Sequence, residues 1–221
     1  MDPMVIPNII PSSMVERVRL ILRNAGWAWG KETAGPIAGS VKHNFQAKED
    51  PFIRDLRMDI VRLVQEQPLF SALVQPHTLG IMFSRYSSPN GEYGVHVDSA
   101  LMGAFRRDVS FTIALSGPDE YDGGELAINR TDGGNDRFKL QAGEAVVYPA
   151  TSLHQVTKVT RGHRLVIVGW ARSYIRDAAQ RELLFELNVA RASLFDQLGK
   201  TDEVDLISKC AANLMRMWAD D

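Results

Sequence analysis

Between residues 79 and 171 the chain is cut by turn signals into short β-rich segments, and nothing else in it limits the fold as much. Segments at 80–86, 109–115, 124–128, 137–140, 144–148, 154–159 and 164–171, with one more around His96, carry the β-branched and aromatic residues that strands favour. Between them, Tyr121-Asp122-Gly123-Gly124, Thr131-Asp132-Gly133-Gly134-Asn135 and Gln141-Ala142-Gly143 supply the glycine and Asx chemistry that reverses a chain. Many short strands at this spacing predict a mainly β fold, a double-stranded β-helix or jelly roll.

The flanks follow the helical period. Ser13 and Glu16 have the spacing of a capping box for a helix over 13–24, and Asp50-Pro51 opens a second one that ends near Gln67-Pro68. Trp27 to Gly30 reads as an edge strand, 34–40 as a loop and 41–46 as a strand. After Tyr174, leucines at helical spacing over 178–198, a stop at Gly199 and a cap at Thr201 predict a helical hairpin over 177–221. The expected division is therefore a jelly-roll domain, 1–176, and a helical extension, 177–221.

With 27 acidic and 25 basic side chains the formal charge is −2, so there is no electrostatic reason to expect nucleic acid or an anionic membrane as partner. The N-terminus lacks the basic start and apolar run of a signal or anchor, and a cytoplasmic protein is the default expectation. One cysteine, Cys210, excludes an intrachain disulfide and dithiol chemistry. The leucine-rich hairpin offers a face on which two copies could pair.

Within the β region, Tyr93-Gly94-Val95-His96-Val97-Asp98 places an imidazole and a carboxylate two residues apart, on one side of a strand. His154, after Tyr148-Pro149-Ala150-Thr151-Ser152-Leu153, is the candidate third donor. Two histidines and one carboxylate suit a non-haem Fe(II) ion that keeps coordination positions open. Ten residues on, Arg164 can offer a guanidinium fork to the carboxylate of an organic acid. Taken singly, His96 reads as a half-buried strand histidine, His154 as a turn residue and Arg164 as a surface ion pair. Their order and spacing together are far more specific.

These segments, with Phe83-Ser84-Arg85-Tyr86, Tyr121-Asp122-Gly123-Gly124-Glu125-Leu126, Val159-Thr160-Arg161-Gly162 and Ile175-Arg176-Asp177, carry a resemblance that runs nearly end to end. The chain resembles the Fe(II)/2-oxoglutarate-dependent dioxygenases, and among them the bacterial PKHD-type hydroxylases, a prolyl-4-hydroxylase-like group associated with iron-uptake loci. The resemblance implies hydroxylation of a small-molecule or peptide substrate with release of succinate and carbon dioxide. It implies Fe(II) held by His96, Asp98 and His154, 2-oxoglutarate bound through Arg164, and L-ascorbate as a candidate auxiliary. Tyr86 and Thr112 are on strands that can bring a hydroxyl beside 2-oxoglutarate. Lys42 and Asn44 match a Val-Lys-x-Asn element expected at the pocket mouth, and Lys42, Arg106, Arg107 and Arg172 hint at a polar or anionic substrate. His77 and His163 are expected to be non-ligands. The sequence departs from the family pattern at 99–107 and 166–173, both expected to border the substrate. Two other readings of the residues are a non-catalytic jelly-roll module that binds iron or a small acid and a jelly-roll metalloenzyme that does not use 2-oxoglutarate; Arg164 argues against both.

Overall fold

The computed structural model describes residues 1–130 and 132–220; Thr131, in the turn expected at 131–135, and Asp221, at the end of the extension, lie outside them. The larger of two antiparallel sheets runs in the order Met4–Ile6, Ala145–Pro149, Val109–Ala114, the second half of His154–Ser173, Pro76–Ser87, Phe45–Ala47 and Trp27–Trp29. In the smaller sheet the first half of His154–Ser173 lies between Gly91–His96 on one side and Tyr121–Gly123 and Leu126–Asn129 on the other. Lys42–His43 and Asn135–Phe138 extend its two edges. This is the jelly roll that the strand spacing predicts.

The two-residue period of the strands divides the larger sheet between two cores. Phe83, Phe111, Ile113, Val147 and Ile167 point outward, onto helices Ser12–Arg23, Pro51–Glu66 and Pro68–Val74. Their alternates Tyr86, Val146, Tyr148 and Val166 point inward and pack against Tyr121, Leu126, Ile128 and Val156 of the smaller sheet. The inner layer is where polar side chains also gather, among them Ser84, Ser110, Thr112 and Arg164.

One strand joins the sheets. The sequence reading placed separate strands at 154–159 and 164–171, whereas His154–Ser173 is a single strand that turns a corner. Ten residues of straight strand would span ~33 Å, yet His154 and Arg164 line the same cavity. The corner is made by register shifts between His154 and Val159 and by Gly162, whose φ of +70° L side chains rarely adopt.

Other expectations are corrected locally. The first helix starts at Ser12 with Pro11 at its N-cap and no side-chain cap, so the Ser13–Glu16 capping box does not form. The loop expected at 34–40 contains a short helix, Pro36–Gly39, because proline at a first helical position lacks only an N–H that would have no partner there. The 41–46 strand breaks at Asn44: Lys42–His43 joins the smaller sheet and Phe45–Ala47 the larger. Pro68, read as a stop, instead begins Pro68–Val74, with the Gln67 side chain accepting from Phe70 N at 2.6 Å. Residues 99–107 hold a small hairpin, Leu101–Met102 paired with Phe105–Arg106.

The C-terminal helices run over Ala178–Leu198 and Asp202–Trp218, capped by Asp177 and Thr201. Leu184 and Ala211 are buried with Ile175, and the first helix packs on Pro68–Val74. Leu183 and Leu198, from the same predicted leucine face, are exposed. No helix among the described residues is long and apolar enough to cross a membrane.

Candidate active site

His96 ends its strand and His154 begins the next, and the two are direct cross-strand partners. Their rings lie 4.2 Å apart between centroids. The backbone carbonyls of Gly94 and Ser152 face the Nδ1 atoms at 2.8 and 3.0 Å. A carbonyl only accepts, so each Nδ1 carries the proton and each Nε2 keeps a free lone pair. Burial, followed by the neighbouring His154, lowers the His96 pKa to about 4, and its ring is neutral at pH 7. Tyr93 stacks on the His96 ring at 3.5 Å.

Asp98 lies just past the end of the His96 strand. Ser110 Oγ and Trp170 Nε1 donate to its Oδ2 at 2.6 and 2.8 Å. Both bonds fall on one oxygen, which leaves Oδ1 for a further partner. His154 Nε2 is 4.0 Å from Oδ2, and donor atoms of His96, Asp98 and His154 all lie within 4.8 Å of one another, a set that can hold one metal ion.

Arg164 is 4% exposed, and its Nη1 has no hydrogen-bond partner among the described residues. Its guanidinium lies 5.2 Å from the Tyr86 ring, across from it in register. Thr112 and Tyr86 are both buried and line the cavity with Arg164, so the structure brings all six predicted site residues together. Burial raises the Tyr86 pKa and holds that of Tyr148 well above the ordinary phenol value, so both hydroxyls stay protonated donors. The cavity encloses about 90 Å³ and is floored by Leu126, Val156 and Val168.

Of the four cations named as substrate hints, two reach the cavity. Lys42 and Arg107 line it. Arg106 instead pairs with Asp108 and Asp220 at 2.7 and 3.0 Å, and Arg172 donates to the Asp220 carbonyl at 3.4 Å. His163 meets Ser87 Oγ at 3.0 Å and His77 meets Thr78 Oγ1 at 2.7 Å, both outside the cavity lining. Sequence reasoning missed the anchoring roles of Ser110 and Trp170, which depend on register across three strands. It also missed Tyr93 and Tyr148, whose only signal is their position beside His96 and before His154.

Fold and site together define a 2OG-Fe(II) oxygenase, and residues 81–172 match that superfamily. The match becomes finer over the whole chain, which belongs to the PKHD-type hydroxylases. A PKHD-type hydroxylase of Picosynechococcus is 46% identical over 97% of this chain and 98% of its own length, and one of Maricaulis maris is 44% identical over 96% and 97%. Residues 178–220 match the PKHD-type hydroxylase C-terminal domain. The fold is shared with a prolyl-4-hydroxylase of Pseudomonas putida, at 24% identity and a TM-score of 0.53 over 77% of this chain and 92% of that one. It is also shared with a collagen prolyl hydroxylase of Paramecium Bursaria Chlorella virus-1, at 16% identity and a TM-score of 0.54 over 77% and 96%. The chain is thus an Fe(II)- and 2-oxoglutarate-dependent hydroxylase.

The residues present fit those two groups. Two imidazoles and a carboxylate are the donor set for non-haem Fe(II), and the unpartnered buried Nη1 of Arg164 suits an anion.

Proposed function

We propose that His96, Asp98 and His154 hold the iron, and that Arg164, assisted by Tyr86 and Thr112, receives the far carboxylate of 2-oxoglutarate. The observation that carries this is the buried, unpartnered Arg164 Nη1, which shares one cavity with three donors lying within 4.8 Å of one another. Bound together, iron and 2-oxoglutarate supply the oxygen chemistry: one atom of dioxygen goes to the substrate as hydroxyl, the other to succinate, and carbon dioxide is released.

The protein's own part is placement. The Gly94 and Ser152 carbonyls hold the two Nδ1–H groups, which fixes both ring orientations and leaves Nε2 as the ligating nitrogen of each. Ser110 and Trp170 hold the carboxylate at a set rotation. Arg164 provides charge and a planar fork, and the Tyr86 and Thr112 hydroxyls add donors to the same anion. Leu126, Val156 and Val168 give the cavity an apolar part of its wall.

The test is succinate formation with anaerobically loaded Fe(II). Asp98→Ala abolishes iron-dependent turnover, and Arg164→Ala raises the 2-oxoglutarate KM about ten- to hundredfold, the loss of one charge-assisted hydrogen bond. Unchanged activity in both variants would refute the assignment. L-ascorbate as an external reductant is part of the same reading, supported by the family resemblance, and is checked by whether its addition increases turnovers per enzyme. A cytoplasmic location is supported by the single cysteine, Cys210, and is checked by cell fractionation.

A further inference from the structure

Lys42 and Arg107 line the cavity together with Arg164, and Lys42 Nζ lies 5.1 Å from the Tyr93 ring centroid. Arg164 also lines a deeper recess with Tyr121, Phe138 and Leu140, which the other two cations do not reach. Lys42 is only 8% exposed, and its one polar contact is with Thr33 Oγ1, at 3.4 Å. Burial, partly offset by Asp98, lowers its pKa to about 8, so it is still mostly charged at pH 7. The Arg107 guanidinium lies over the Trp170 ring, 4.2 Å from its centroid, and its buried Nε has no partner. Among the described residues neither cation forms an ion pair.

Charge balance gives this arrangement a direction. Lys42, Arg107 and Arg164 share the cavity with one carboxylate, Asp98. A divalent iron and a dianionic 2-oxoglutarate cancel each other, so the loaded cavity still holds two positive charges in excess. Leaving such charges partly buried and unpaired is costly, whereas one further anion on Lys42 and Arg107 removes most of that cost.

We infer that the molecule hydroxylated here carries a carboxylate, and that Lys42 and Arg107 bind it beside Trp170. This rests on the proposed function, since it takes Arg164 to be paired with 2-oxoglutarate. The carboxylate is favoured over phosphate because it is the smaller, planar anion, and the cavity, about 90 Å³, must also take iron and 2-oxoglutarate. Trp170 also anchors Asp98, so the substrate acid is held next to the proposed iron ligand.

The experiment measures binding to the Fe(II)- and 2-oxoglutarate-loaded protein without oxygen, by ligand-observed NMR. The probes are N-acetylated amino acids, their primary amides and methyl phosphate. The expected result is that at least one acid binds about tenfold or more tightly than its amide. Lys42→Gln and Arg107→Gln should each erase that preference, while Lys42→Arg and Arg107→Lys retain part of it. The inference is overturned if acids and amides bind alike, if no acid binds, if methyl phosphate binds more tightly than every acid, or if both glutamine variants keep the preference. A loaded protein that fails to bind 2-oxoglutarate in the first step refutes the proposed function itself, and that failure is read before any probe is added.

Discussion

Asp98 has two hydrogen bonds on one oxygen, and the donors come from different strands of the larger sheet, Ser110 on Val109–Ala114 and Trp170 on His154–Ser173. A carboxylate held in this way cannot rotate freely, and residues that orient a ligand tune affinity almost as much as the ligand does. Trp170→Phe keeps an aromatic ring under Arg107 but removes the indole N–H. The expected result is iron affinity about ten- to hundredfold lower, measured by competition with a calibrated chelator, while the fold is retained. An unaltered affinity would mean that Asp98 is oriented by something else. The His96–Asp98 pair was legible in the sequence because the two-residue period of a strand is local. Trp170 was not, because its partner is 72 residues away and nothing in one sequence sets the register that joins them.

The strand His154–Ser173 carries the last two of the four residues on which the reading depends, His154 and Arg164. The sequence divides it between 159 and 164, the stretch that holds Gly162, whereas the structure keeps one strand there and uses the glycine for a change of sheet. A Cβ at Gly162 would run into the Glu120 carbonyl oxygen, and its φ of +70° disfavours any L side chain. Gly162→Ala should therefore cost ~1–2 kcal/mol or more in denaturant unfolding and raise the 2-oxoglutarate KM, because Arg164 lies two residues beyond the corner. An unchanged unfolding midpoint would show that the corner does not depend on this residue. The helices were legible from their periodicity and from caps at Asp50 and Thr201, whereas the cap at Asp177 was not. Pro68–Val74 was not, since a proline that ends one helix and a proline that starts the next look the same in sequence.

At the scale of the molecule, the helical hairpin covers Ile175 and packs on Pro68–Val74, which leaves Leu183, Phe195, Leu198 and Leu206 facing outward. We propose that these outward side chains pair two copies of the chain, the expectation that the leucine spacing raised. Sedimentation velocity of the full chain should give the mass of a dimer, and Phe195→Glu with Leu198→Glu should return it to a single chain. A wild-type protein that sediments as one chain ends that proposal. The bent strand has a further consequence for what the enzyme accepts. The proposed metal donor and acid anchor, His154 and Arg164, hang from the same uninterrupted peptide, so their separation is built in before any ligand arrives, as between the jaws of a fixed caliper. A diacid one carbon longer or shorter than 2-oxoglutarate would meet one jaw and miss the other, so the choice of cosubstrate is made by a length already written into the backbone.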